Sequence, residues 1–186
     1  MRRLLPLALV VFAVAAACGV PADDSPQELT ADQVPFGLLT TAPATPTTNP
    51  GGQLADLYFV NADGEIVQET RDVEDLSART VIESLLATDA SSLPLGISSN
   101  IPPDTTLLDS SVDDGVLTVD LSPQFQTIEG DRFNAAAAQI VFTATGVEDV
   151  DAVSFRVDGE PITVGDDEGV AQEEPVDRMD YDLLLA

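Results

Sequence analysis

A chain with no histidine, no lysine, no tryptophan and a single cysteine has few ways to do chemistry. Without His or Lys, the Ser-His-Asp, Cys-His and Ser-Lys nucleophile systems cannot be assembled. Zinc sites of the Cys/His kind are excluded for the same reason, and one cysteine forms no internal disulfide. Positive charge is scarce as well. Seven arginines against 33 acids give a formal net charge of −26 over 186 residues. Such a surface repels a phosphate backbone, so no nucleic-acid partner is expected. The apolar share of 44% nevertheless suffices for a folded core. Two classes survive: a binding or interaction module, and an enzyme that works with carboxylates alone.

The N-terminus sets the compartment. Arg2 and Arg3 precede an apolar run over residues 4–14 that contains Pro6, and Ala15, Ala16 and Ala17 place small side chains before Cys18. That is the layout of a secretory signal over residues 1–17, and it is short for a spanning helix of ~20 residues. The arrangement resembles a bacterial lipobox, with Ala15 where Leu or Val is commoner. The resemblance implies lipidation of Cys18 and a protein exported to the outer face of the cytoplasmic membrane, within the cell envelope. Two or more acyl chains, at ~0.8 kcal/mol per buried CH₂, hold a protein on a membrane stably. Residues 18–52 then read as the lipidated Cys and a Pro/Thr-rich tether that ends in Gly51 and Gly52. Such composition favours extended chain and buries no core. Its one apolar stretch is residues 34–39.

Residues 53–165 carry the periodic patterns. Leu57, Tyr58, Phe59 and Val60 form a short strand before the turn signal Asn61-Ala62-Asp63-Gly64, and residues 66–73 return as a second strand. Ser77 caps a helix whose apolar face is Ala78, Val81, Ile82, Leu85 and Leu86. After a long irregular stretch over residues 89–106, two alternating runs, 107–112 and 116–121, flank Asp113-Asp114-Gly115, the strongest hairpin signal in the chain. Phe133, Ala136, Ala137, Ile140, Val141 and Ala144 make a second helical stripe, with Gly146 as its stop. Val153, Phe155 and Val157 alternate as a further strand. The order ββ-α-ββ-α-β predicts an α+β fold, a mainly antiparallel sheet with two helices on one face, like a ferredoxin-like sandwich. The acidic tail, residues 166–186, ends in Tyr181 and Leu183, Leu184 and Leu185, which predicts that it packs partly on the domain.

The residues so assembled resemble the GerMN domain, the sporulation and spore-germination module of bacterial envelope proteins. The resemblance covers about residues 57–164. It rests on Leu57-Tyr58-Phe59-Val60 with Asp63-Gly64, on Gly96-Ile97-Ser98-Ser99-Asn100-Ile101-Pro102-Pro103, and on Val112-Asp113-Asp114-Gly115-Val116. Val119-Asp120-Leu121-Ser122, Ala138-Gln139-Ile140-Val141 and Phe155-Arg156-Val157-Asp158-Gly159 continue it. Pro175-Val176-Asp177-Arg178-Met179-Asp180-Tyr181 resembles the segment that follows the domain in actinobacterial lipoproteins of this type. Together the resemblances imply such a lipoprotein, with a fold like the ring-building modules of secretion complexes and an association with envelope or cortex assembly. They imply no defined catalytic site and no cofactor. One such unit is visible, which favours a general envelope role over sporulation as such.

Candidate sites follow from residue chemistry. Gly96, Ser98, Ser99 and Asn100, in the long loop, offer hydrogen bonds to a glycan or peptide; the plainer reading is that Ile97 and Ile101 pin the loop while Pro102-Pro103 stiffen the entry to the next strand. Arg156 alternates out of phase with Val153, Phe155 and Val157, so it points away from them, toward Asp151 or Asp158 or toward a partner's carboxylate. Asp113, Asp114, Asp120 and Glu129 are the acids a carboxylate-only glycan hydrolase would draw on; turn chemistry accounts for them without catalysis. Neither Asn61-Ala62-Asp63-Gly64 nor Asp166-Asp167-Glu168-Gly169 continues into the spacing of an EF-hand, so no metal site is assigned. The expected function is a non-catalytic envelope module that binds a protein or a peptidoglycan-related partner. Association through sheet edges or helix faces is the natural route to oligomers for so small a sandwich.

Overall fold

The computed structural model describes residues 52–186. The secretory signal, Cys18 and nearly all of the tether lie outside the described residues. The first element is an antiparallel hairpin, β1 (Gln53–Val60) and β2 (Ile66–Val73), registered from Gln53 opposite Val73 to Val60 opposite Ile66. Its turn is held by Asn61, whose Oδ1 accepts from the N–H groups of Asp63 (2.9 Å) and Glu65 (3.0 Å). This is the local side-chain-to-backbone bonding that makes Asn a turn residue.

Helix α1 (Ala78–Leu86) begins at Ser77, whose hydroxyl accepts from the Thr80 N–H. Its apolar face buries Val81, Ile82 and Leu85, each contributing about 1.5–3 kcal/mol by leaving water. Strands β3 (Leu107–Asp113) and β4 (Val116–Leu121) pair antiparallel around Asp114 (φ 47°) and Gly115 (φ 81°). Two consecutive positive φ values match the right-handed twist of the strands, which is why an Asp-Gly pair closes this hairpin.

Helix α2 (Asp131–Ala144) forms the centre of the domain. Every residue from Ala135 to Ala144 is buried, including Gln139 and Thr143. The spacing predicts a stripe on one side; the helix is enclosed all round because α1, β1, β5 and the C-terminal segment pack against it. Four consecutive alanines let those neighbours approach closely. Strand β5 (Ala152–Val157) lies parallel to β4, from Val116 opposite Ala152 to Leu121 opposite Val157. The parallel pairing follows from the helical crossover between them. Two-residue strands β6 (Glu160–Pro161), β7 (Val164–Gly165) and β8 (Ala171–Gln172) complete a four-stranded sheet in the order β3-β4-β5-β6 and a small β7-β8 pair. The fold is α+β, as the element order predicts, with antiparallel hairpins and one mixed sheet.

The C-terminal residues pack on this frame. Val176 exchanges both backbone hydrogen bonds with Val153 (2.8 and 3.0 Å). A 3₁₀ segment (Arg178–Leu184) follows, capped by Asp177, and buries Tyr181 completely. The Arg178 guanidinium donates to the Phe142 carbonyl and to Thr145 Oγ1, both at 2.7 Å, and stacks over the rings of Tyr58 and Phe142. A cation at the C-terminus of α2 is favoured by the orphan carbonyls there.

Candidate functional site

The loop singled out by sequence is fastened to the core from beneath. Ser98 exchanges N–H···O=C bonds with Val60 (both 2.8 Å), a one-residue extension of the sheet beyond β1. Gln139, fully buried on α2, reaches three groups at once. Its Nε2 donates to the Tyr58 carbonyl (3.0 Å) and to Ser99 Oγ (3.3 Å), and its Oε1 accepts from the Asn100 N–H (2.7 Å). Ser99 Oγ also accepts from the Ile101 N–H at 3.2 Å. The hydroxyl of Ser99 and the backbone of Asn100 therefore serve the fold. Gly96 (φ 86°) and Ser98 lie on the exposed side of the loop. Gln139 has one signal in the sequence: a polar side chain inside the run from Ala135 to Ala144 must meet something polar there.

Arg156 projects from β5 onto the solvent face of the four-stranded sheet. Its register neighbour is Asp120, and with Asp109, Ser110, Ser111 and Thr118 it lines a hollow of about 180 Å³. The ion pairs among the described residues belong to Arg79, with Glu83 at 2.9 Å and Asp109 at 3.2 Å. Neither Asp151 nor Asp158 pairs with Arg156.

The carboxylates named as hydrolase candidates occupy separate places. Asp113 and Asp114 sit in the exposed β3–β4 turn, Asp120 accepts from the Gly159 N–H (3.0 Å), and exposed Glu129 lies beside the start of α2. In the acidic loop that follows β7, Asp166 Oδ1 accepts from the N–H groups of Glu168 (3.0 Å) and Val170 (2.8 Å), which is turn chemistry. Among the described residues, no cluster of three or more acids is disposed to hold a metal ion. The Ser77 hydroxyl and N–H hold Asp75 below the usual carboxylate range, and Ser91 does the same for Asp89. Both acids cap local turns. Tyr181 moves in the opposite direction: burial raises its pKa, helped by the nearby Asp180, Asp166 and Asp167. Its hydroxyl has no hydrogen-bond partner among the described residues.

A larger feature was not visible in the sequence. A cleft of about 470 Å³ opens between the start of β1, the start of α1, the end of β3 and the loop after α2. Ala55, Val81, Thr143 and Val150 form its buried floor. Leu54, Leu76 and Val112 stand at its rim with 67%, 45% and 47% of their surface exposed. Its charged lining residues are all acidic: Asp56, Glu148 and Asp149. An apolar floor with an apolar rim on so charged a surface marks a place where another molecule gains by docking. The residues come from four separated stretches, so only the fold brings them together.

These features define a small α+β module built from hairpins around a buried helix. A family model described as Germane, sporulation and spore germination, matches residues 56–163, and the chain belongs to that family. Among solved structures, the tandem GerMN domains of the sporulation protein GerM from Bacillus subtilis superpose with a TM-score of 0.60 at 21% identity, over 69% of this chain and 47% of that one. The chain thus spans about half the length of that tandem structure. The first GerMN domain of the same protein gives a TM-score of 0.59 at 21% identity, over 68% of this chain and 98% of that one. At this identity the likeness is one of fold. No curated protein sequence matches the chain.

Proposed function

We propose that this protein is a non-catalytic, lipid-anchored component of the bacterial cell envelope whose domain binds a protein or a peptidoglycan-related partner in envelope or sporulation-type processes. The cleft carries this reading: an apolar floor, exposed leucines at the rim, and no histidine, lysine or cysteine anywhere in residues 52–186. A surface of that make-up binds more readily than it turns over a substrate. Family membership and the sporulation protein named among its structural likenesses support the setting. The secretory pattern of residues 1–17 with Cys18 supports export and a lipid anchor. No helix among the described residues is long and apolar enough to cross a membrane.

The competing reading is a glycan hydrolase working with carboxylates. Incubating the purified protein with peptidoglycan separates the two. Binding without release of soluble fragments is expected if the partner is the wall itself, and neither binding nor release if it is a protein. Turnover that disappears on a single Asp or Glu substitution would overturn the binding-module reading. For the anchor, Cys18→Ala should release the protein from the membrane fraction or block its processing; unchanged retention would refute lipidation.

A further inference from the structure

The backbone at the cleft carries a second message. The Asn61 N–H bonds the Glu65 carbonyl, and with the observed register this turns residues 53, 55, 57 and 59 of β1 toward β2. Leu54, Asp56, Tyr58 and Val60 then present their N–H and C=O groups to the opposite side. The far end of that side is covered. Val60 is paired by Ser98, and Tyr58 is satisfied from α2, its N–H by Thr143 Oγ1 (3.0 Å) and its carbonyl by Gln139. The near end is open. The outward backbone groups of Leu54 and Asp56 have no partner among the described residues, and both residues line the cleft. An unpaired strand edge is a template for one more strand.

We infer that this open edge of β1 takes up an extended segment of another protein, one that alternates apolar side chains with lysine or arginine. The inference rests on the binding-module reading and names the partner's chemistry. A strand laid beside Leu54 and Asp56 presents alternate side chains to opposite sides. One row suits the floor of Ala55, Val81 and Val150, and the other suits Asp56, Glu148 and Asp149, which are the only charged residues of the lining. A second copy of this chain is a poor occupant, since it brings a net charge of −26 to an acidic rim. A docked helix is a poor one too, because its own backbone bonds are internal and leave the Leu54 and Asp56 groups unpaired.

The test is to pan a library of random twelve-residue peptides against the chain from residue 19 onward, which holds every described element. The enriched peptides should alternate apolar with basic residues, weaken with added salt, and shift the amide resonances of Leu54, Asp56 and Val150. Methylating alternate backbone nitrogens of the best peptide should weaken binding at least about tenfold, because it removes strand pairing while keeping the side chains. Leu54→Pro should weaken it similarly, since it deletes an N–H that faces the cleft and leaves the β1–β2 ladder intact. The methylated peptide needs no protein variant, so the test survives if Leu54→Pro misfolds. The inference is overturned by failure to enrich any peptide, by apolar residues at helical spacing, or by equal binding of the methylated form. Self-association of the chain through the same amides would also overturn it. Amide shifts confined to another face refute this edge while leaving a binding module standing. Peptidoglycan turnover dependent on one carboxylate would refute both.

Discussion

Replacing Gln139 with leucine keeps the helix and much of the side-chain volume while removing three hydrogen bonds from the middle of the domain. The Tyr58 carbonyl and the Asn100 N–H lose their partner, and Ser99 Oγ loses one of two. A backbone group left unpaired away from water costs about 1–3 kcal/mol. Ser99 is partly solvated and recovers its loss from water. Leucine gains some transfer free energy at a fully buried position, on the order of 1–2 kcal/mol relative to the amide. At mid-range two such groups cost about 4 kcal/mol against a gain of about 1.5 kcal/mol, so the net expectation is a loss of about 2–3 kcal/mol, a large part of the 5–15 kcal/mol usual for a domain. Urea denaturation should show a lower midpoint with an unchanged slope. Amide exchange adds a local readout: the Val60 and Ser98 amides, paired across the loop, should exchange faster than those of the β3–β4 hairpin. A loss under about 1 kcal/mol, or exchange that quickens equally everywhere, would show that the loop is held by Ile97 and Ile101 packing and not by Gln139.

Three further outcomes follow from the same geometry. Tyr181→Phe deletes a buried hydroxyl without a protein partner, so stability should stay level or rise by about 1 kcal/mol. Because the folded-state pKa of Tyr181 is raised above its ordinary 10.0, wild-type stability should fall as pH climbs beyond about 10, and the Phe variant should lack that share of the fall; a loss above 1 kcal/mol at neutral pH would contradict this. Arg178→Met keeps an apolar stem but forfeits the bonds to Phe142 and Thr145, and should cost about 2–3 kcal/mol, with the Val176 amide losing exchange protection before the β1–β2 ladder. Gly115→Ala places a side chain at a φ of 81° and a Cβ 2.5 Å from Asp151 Oδ2, and thermal denaturation should register a loss of about 1–3 kcal/mol.

What could be read in advance was whatever neighbours in sequence decide. Asp114 and Gly115 close their hairpin by their own backbone preferences, Ser77 caps α1 with its own hydroxyl, and the spacing of Val81, Ile82 and Leu85 makes their face apolar without help from elsewhere. Distant partners are another matter. The α2 stripe was legible as one face because periodicity records only that a side is buried; enclosure on every side depends on Arg178 and Tyr181 arriving from 34 or more residues away. The same limit governs the surface. Ser99 looks equipped to bind a ligand until Gln139, on another element, is seen to occupy its hydroxyl together with the Asn100 N–H. The reverse holds for Leu54 and Leu76, which look like ordinary apolar residues beside a strand and a helix cap. Only the fold brings them together with Val112 over an unpaired strand edge. Polar residues in a loop thus mark a site only after the core's own demand for hydrogen bonds has been met. In this domain that demand reaches the Ser99 hydroxyl and the Asn100 backbone, and it stops short of Leu54 and Asp56.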